Sequence, residues 1–298
     1  MHWILASLVS AFFLGCYDLS TKHAVRDNAV LPVLFFANAC SAVVWLLLQA
    51  GTTLATNAFP PALHVDTLTS FQHLQLLLKS MIVAASWVCS YFAVKQLPVS
   101  LAAPIRATGP VWTLLGATLV LGERPTWLEG LGILITLASF LGLSIVGARE
   151  GIHFRRNRWI WFLGGGTLLG ALSGLYDKYL LGSVGFTAAT VQCWFSIYLA
   201  LLFLPLAVGW KFRWWQRQEF QWRGSIVLVS LMLLVADFLY FNALRDPEAL
   251  VSMVSSLRRG GTLVAFAGGI LLFGEVNARA KLPAVIGVVI GIVLTILG

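Results

Sequence analysis

Long apolar runs separated by short polar connections divide the chain almost from end to end. Ten can be drawn: 3–21, 30–50, 73–94, 99–121, 128–147, 159–180, 187–209, 224–243, 249–273 and 280–297. About 20 apolar residues in a helix cross roughly 30 Å of hydrocarbon. Hydrocarbon offers no partner to backbone N–H and C=O groups, and the runs are too long and too evenly apolar for barrel strands. Each run is therefore predicted to be a helix. Connections are short except at 51–72, 148–158 and 210–223, which predicts one compact bundle of antiparallel neighbours and leaves no room for a soluble domain. The run after Met1-His2-Trp3-Ile4 has no basic leader and continues past Leu19, so it is read as a span and not as a removed signal peptide.

Small residues recur at helical spacing. Gly166, Gly170, Ser173 and Asp177 share one face, and Gly287 and Gly291 form a GxxxG; such faces let helix backbones approach closely. The chain also repeats itself. Tyr17-Asp18 returns as Tyr176-Asp177, and Leu119-Val120-Leu121-Gly122-Glu123 returns as Leu271-Leu272-Phe273-Gly274-Glu275. Arg106 and Arg258 stand the same distance before Glu123 and Glu275. With a short gap, Tyr91-Phe92 matches Tyr240-Phe241. The units are 1–150 and 151–298, each with five spans. An odd number makes the second unit enter the membrane from the opposite side, the inverted-repeat plan of many transporters. The predicted fold is an all-α integral membrane protein of ten transmembrane helices in two inverted five-helix repeats.

A Leu/Phe-Gly-Glu at the end of the fourth helix of each half, in Leu121-Gly122-Glu123-Arg124 and Phe273-Gly274-Glu275, resembles the drug/metabolite transporter superfamily, specifically its EamA branch. The resemblance covers nearly the whole chain. It implies a ten-helix basket with a central cavity and alternating access, but no particular substrate.

Composition agrees with a membrane solvent: 59% hydrophobic residues, 11% charged, mean hydropathy +0.86. Soluble domains carry about a quarter charged residues. The net charge of +8 comes mainly from loop Lys and Arg, read as orientation signals and lipid contacts and not as a nucleic-acid surface. Cys16, Cys40, Cys89 and Cys193 lie inside apolar runs without metal-ligand spacing, and the five His are dispersed. There is no HExxH, GxSxG or P-loop. No enzyme activity, cofactor or metal is expected.

Ionisable groups deep in a span are costly and are candidates for function. Six are counted: Asp18, Arg106, Asp177, Asp237, Arg258 and Arg259. Two readings stand for each, pairing within the bundle or service to a substrate. In the ninth run Ser252, Ser255, Ser256, Arg259 and Thr262 form a polar stripe with Arg258 at its edge, facing protein or a wet cavity. Arginine's planar fork suits carboxylate or phosphate, so an anionic or zwitterionic substrate is expected. The alternative is that Arg259 pairs with Asp237 and only joins helices. Asp237 is also a candidate for proton coupling. Arg106 shares a face with Ala102, Gly109, Pro110, Thr113 and Ala117, which leaves room around it, and Pro104 and Pro110 are candidate kinks. Asp18 stands four residues before Lys22, which favours a pair near the interface, whereas Asp177 is freer to serve a cavity. Tyr17, Trp87, Tyr91, Tyr176, Trp194 and Tyr240 are expected as aromatic walls.

The function expected is secondary transport, as an exporter of a small polar or anionic metabolite in the plasma or inner membrane. The expected partners are the substrate, membrane lipids and a coupling proton, with no nucleic acid; the chain acts as monomer or homodimer. The alternative class is a non-transport membrane protein, such as a lipid-modifying enzyme or a lipid-handling scaffold. Most of the 20 Lys and Arg lie in odd-numbered connections, whereas the terminal side carries Lys79, Arg124, Lys178 and Arg245. Positive loops stay cytoplasmic. The charge pattern thus predicts both termini outside, whereas the resemblance implies both inside.

Overall fold

A computed structural model describes residues 2–54, 59–96, 105–106, 108–145, 158–214, 218–261, 263–264, 267–268 and 278–297. Among them are ten α-helices and no strand: α1 (His2–Val25), α2 (Val30–Leu54), α3 (Ser70–Gln96), α4 (Gly109–Gly116), α5 (Trp127–Ile145), α6 (Arg158–Lys178), α7 (Ala188–Lys211), α8 (Gly224–Arg245), α9 (Val251–Arg258) and α10 (Ala278–Leu297). Each apolar run of the sequence overlaps one. Five helical stretches, in α1, α2, α3, α7 and α8, are long and apolar enough to cross a membrane, and Gly109–Leu121, Trp127–Ser139 and Ile286–Leu297 are shorter apolar helices. Leu5, Phe12, Leu47, Phe71, Leu119 and Trp161 are exposed, as the outer face of a multi-pass membrane protein requires.

The helix ends follow local chemistry. Thr126 and Glu129 form a capping box at α5: the Thr126 N–H donates to Glu129 Oε2 and the Glu129 N–H to Thr126 Oγ1. Thr187 caps α7 by accepting from the Thr190 N–H. Lys178 Nζ donates to the carbonyls of Leu244, Asp246 and Ala249 at 3.1, 3.0 and 2.6 Å, closing the C-terminal end of α8. Pro110 occupies the first turn of α4, where a missing N–H breaks no ladder bond, so it starts that helix and does not kink it. Pro104 and Ala102 lie outside the described residues.

Helices of the two halves interleave. The principal pairs are α1 with α8, α3 with α6, α2 with α7 and α5 with α10. Further pairs are α3 with α7, α2 with α8, α4 with α6, α1 with α9 and α4 with α9. Within these nine pairs, exchanging each helix with the one five places along returns the same set: α1–α8 becomes α6–α3, α3–α7 becomes α8–α2, α4–α6 becomes α9–α1, and the other three map onto themselves; α7 also packs on α8, a contact that the described residues of α2 and α3 do not match.

Close approach explains the small residues. A Cβ on Gly132 would stand 2.6 Å from the Gly291 carbonyl oxygen, and one on Gly291 would stand 2.7 Å from that of Gly132. One turn on, Thr136 and Thr295 each donate back to those carbonyls at 2.8 Å. The GxxxG of α10 thus seats α5. On the face of α6 read from the sequence, a Cβ on Gly166 would meet the Ser86 carbonyl at 3.0 Å, and Ser86 Oγ donates to the Gly166 carbonyl at 2.7 Å. That face belongs to α3.

Candidate functional site

The charged residues of the spans converge where α1, α3, α6, α8 and α9 meet. Asp177, near the end of α6, is buried against Lys79 of α3, with Nζ–Oδ1 at 2.6 Å and both side chains almost fully enclosed. Lys79 also lies over the rings of Phe195 and Phe241, 4.1 and 5.0 Å from their centres. The sequence reading counts Lys79 with the charges of the terminal side and not among those deep in a span; it lies inside α3, one face of which packs on α6, and joins the charged residues of the bundle.

Asp237 pairs with Arg258, not with Arg259: Arg258 Nη2 donates to Asp237 Oδ1 at 2.8 Å. The guanidinium also stacks over Tyr240, 4.1 Å from the ring centre. Tyr240 is buried, its hydroxyl approaches α6 at Gly174, and it lies in the field of Asp177, Arg258 and Asp237. Lys79, Asp177, Tyr240, Arg258 and Asp237 therefore form one network across four helices.

Arg259 points elsewhere, because successive residues of a helix are turned by about 100°. Its Nη2 fills the space over Gly109 of α4, 2.8 Å from where a Cβ would be. The room left by the small face of α4 thus takes Arg259, while Arg106 is exposed at the start of that segment. The charges acting on Asp18 are those of Arg106, then Arg259, then Arg258. Asp18 thus lies within electrostatic reach of Arg106, Arg259 and Arg258; the side chain of its expected partner Lys22 lies outside the described residues. Beside it the Tyr17 and Tyr91 hydroxyls hydrogen-bond at 3.1 Å.

The serines of α9 have different tasks. Glu123 is buried and reaches the start of α9: the Val251 N–H donates to Oε1 at 2.6 Å, and the Ser252 N–H and Oγ donate to Oε2 at 3.3 and 2.8 Å. Ser252 is thereby held at the cap. Ser256 is buried with no hydrogen-bond partner for its hydroxyl among the described residues, Ser255 is half-buried, and Thr262 lies outside them. Gly122 takes φ +69°, a left-handed turn that favours glycine, and this turn sends Glu123 back toward α9. The Leu-Gly-Glu motif is therefore a turn plus a cap donated by one half to the other. The sequence contained that signal, an acid after a helix-ending glycine, but not its distant recipient. Phe273-Gly274-Glu275 lies outside the described residues.

The aromatic residues divide. Tyr17, Trp87 and Tyr91 line a narrow space of about 10 Å³ with Asn38, Ser41 and Ser230, room for roughly one water. Trp194 instead borders a recess of about 500 Å³ beside the α2–α3 connection, with Gln49, His64 and Asp66. It packs against His73 and Tyr198, and His73 Nδ1 is 2.8 Å from the Tyr198 hydroxyl. Tyr176 stacks on Tyr179 and donates to the Gln75 carbonyl at 3.4 Å. Of the fifteen expected site residues, the structure draws Tyr17, Asp18, Trp87, Tyr91, Arg106, Asp177, Asp237, Tyr240, Arg258 and Arg259 around the cluster and its narrow space. It seats Trp194 and Tyr176 apart, and ties Ser252 to a cap.

Residues 1–145 match the model of the EamA-like transporter family. One crystal structure, described simply as that of a protein, superposes with a TM-score of 0.75 over 99% of this chain and 97% of its own length, at 14% identity, a likeness of fold. No curated protein matches the chain.

Proposed function

We propose that this chain, an EamA-type membrane protein of the drug/metabolite transporter superfamily on the match of residues 1–145, is a secondary transporter that exports a small polar or anionic metabolite by alternating access. The observation that carries this reading is the interleaving of helices, whose principal pairs are preserved when the halves are exchanged. Five spans per half make residues 1–150 and 151–298 inverted copies. Two copies of one plan, facing opposite sides, give a protein two conformations of comparable energy that open to either side. A membrane scaffold has no use for that device. Charged groups enclosed where the halves meet support a polar cargo, since ionisable side chains are rare within spans and mark substrate pathways.

The membrane is the plasma or inner membrane in this reading, and the termini lie outside, on the side opposite most Lys and Arg. Full-length protein reconstituted into vesicles loaded with mixed metabolites tests the function. Time-dependent loss of one polar class, absent from protein-free vesicles and from Arg259→Ala protein that still inserts and folds, is the expected result. Retention of every compound by wild-type vesicles would overturn it.

A further inference from the structure

Two connections tie one half of the chain to the other, and they do so in the same way at opposite ends of the α2–α7 pair. After α2 the chain passes through Asp66, shortly before α3 begins. The Asp66 N–H donates to Thr190 Oγ1 at 2.9 Å, and Asp66 Oδ2 accepts from the hydroxyls of Thr187 and Thr190 at 3.0 and 2.9 Å. Thr187 is the residue that caps the start of α7. After α7 the chain passes through Gln221, shortly before α8 begins. The Gln221 N–H donates to Asn28 Oδ1 at 2.8 Å, and the Gln221 carbonyl accepts from Asn28 Nδ2 at 2.7 Å. Asn28 stands just before α2, and its Oδ1 also accepts the Ala29 N–H. Arg223 Nη1 adds bonds to the carbonyls of His23 and Arg26 at 2.8 and 2.6 Å.

Moving five helices along turns one tie into the other. The α2–α3 connection becomes the α7–α8 connection, and the start of α7 becomes the start of α2. The residue types differ, so the match lies in placement and is invisible in the sequence. α2 has 25 residues, and a helix of that length brings its two ends to opposite faces of a membrane. One tie therefore stands at each face. The strap that carries Asp66 is a wall of the recess of about 500 Å³. The Asn28 tie adjoins the narrow space of about 10 Å³ lined by Thr21, Asn38 and Ser41, which is too small for a metabolite.

We infer that residues 59–69 and 218–223 are the two latches of alternating access. Each fastens its own half to the first turn of the paired helix in the other half, at one face, and both are fastened in this structure. The inference rests on the transport reading. Its physical consequence is reciprocal: releasing one latch favours the conformer open at that face and draws population away from the conformer open at the other.

Two single-cysteine chains report the faces. One keeps Cys193, which is buried beside Trp194 at the recess, as its single cysteine. The other carries Ser41→Cys with the native cysteines replaced by alanine. Labelling by a small hydrophilic maleimide is timed on full-length protein in lipid nanodiscs, where both faces meet the reagent. Asp66→Ala with Thr190→Val raises labelling at 193 about thirty-fold, the scale of two or three lost hydrogen bonds. It lowers labelling at 41 about two-fold, the fall expected when each open form starts at roughly a few per cent. Asn28→Ala with Arg223→Gln does the reverse. Should that pair fail to fold, Arg223→Gln alone raises labelling at 41 by about five-fold, and the fall at 41 in the Asp66/Thr190 pair decides. A loop anchor with no gating role changes labelling only beside itself, so a distant reporter that stays level or rises overturns the latches. Reciprocal labelling in a chain that moves no compound keeps the latches as a conformational switch and removes the transport reading; vesicle flux with unlinked reporters removes only the latches.

Discussion

Glu123→Ala is expected to be among the most damaging single changes outside the charged cluster. Its carboxylate accepts the Val251 and Ser252 N–H groups at 2.6 and 3.3 Å and the Ser252 hydroxyl at 2.8 Å. Val251 and Ser252 are both 1% exposed, so water cannot readily replace the lost oxygens. Each buried N–H left unpaired costs about 1–3 kcal/mol. The lost anion at a helix start adds about 0.3–1 kcal/mol. The freed serine hydroxyl can turn to another acceptor and adds little. The total is about 2–7 kcal/mol, which at roughly 2–4 °C per kcal/mol lowers the melting temperature by about 4–28 °C. Glu123→Gln keeps one acceptor oxygen and should cost about half as much. Ser252→Ala should cost about 1 kcal/mol in the wild type and less in Glu123→Ala, since the two share one contact. Thermal unfolding of detergent-purified protein, followed by intrinsic fluorescence, measures all four. A fall below 2 °C for Glu123→Ala, or full additivity with Ser252→Ala, would refute the cap.

Lys79→Met alone should destabilise by about 3–5 kcal/mol, because it strands the Asp177 carboxylate in the interior, while adding Asp177→Asn should recover most of the loss; the same melting assay reads both. At the α5–α10 crossing, Gly291→Ala should lower stability by about 1–3 kcal/mol through forced separation of the backbones, whereas Gly130→Ala, with open space around it, should leave stability unchanged or raise it by up to about 1 kcal/mol. Asp66 accepts from the Thr187 and Thr190 hydroxyls at 3.0 and 2.9 Å, so Asp66→Ala should speed amide exchange at residues 59–69 without changing exchange in α8; equal protection in wild type and variant would show that these bonds do not anchor the connection. Single cysteines replacing Thr67 and Glu219 in a cysteine-free chain report orientation: an impermeant reagent on intact cells should label 67 and not 219, and the reverse pattern places the termini inside.

The sequence alone determined the helices and the small-residue faces. Lipid forbids unpaired backbone groups, so every long apolar run had one conformation available, and each of α1 to α10 overlaps one of those runs, most of them reaching a few residues past its edges. Helical spacing likewise fixed which residues of one helix share a side, as with Gly166 and Asp177, or Gly287 and Gly291. Tyr17-Asp18 and Tyr176-Asp177 were visible as copies because identity of residues needs no geometry to be read. What lay across from each face was decided elsewhere. Whether Arg258 or Arg259 meets Asp237 depends on how α9 is turned about its axis against α8, an angle set by contacts with α4, α1 and α10. Lys79 lies inside the third apolar run, 73–94, yet is counted with the charges of the terminal side; only the packing of α3 on α6 gives it Asp177 as a partner. Glu123 likewise marked a repeat in the sequence, while its two backbone donors lie more than a hundred residues along the chain. Periodicity is a local property and sets the face a side chain occupies, whereas partners across a bundle follow from the rotation and depth of each helix, which all its neighbours fix together.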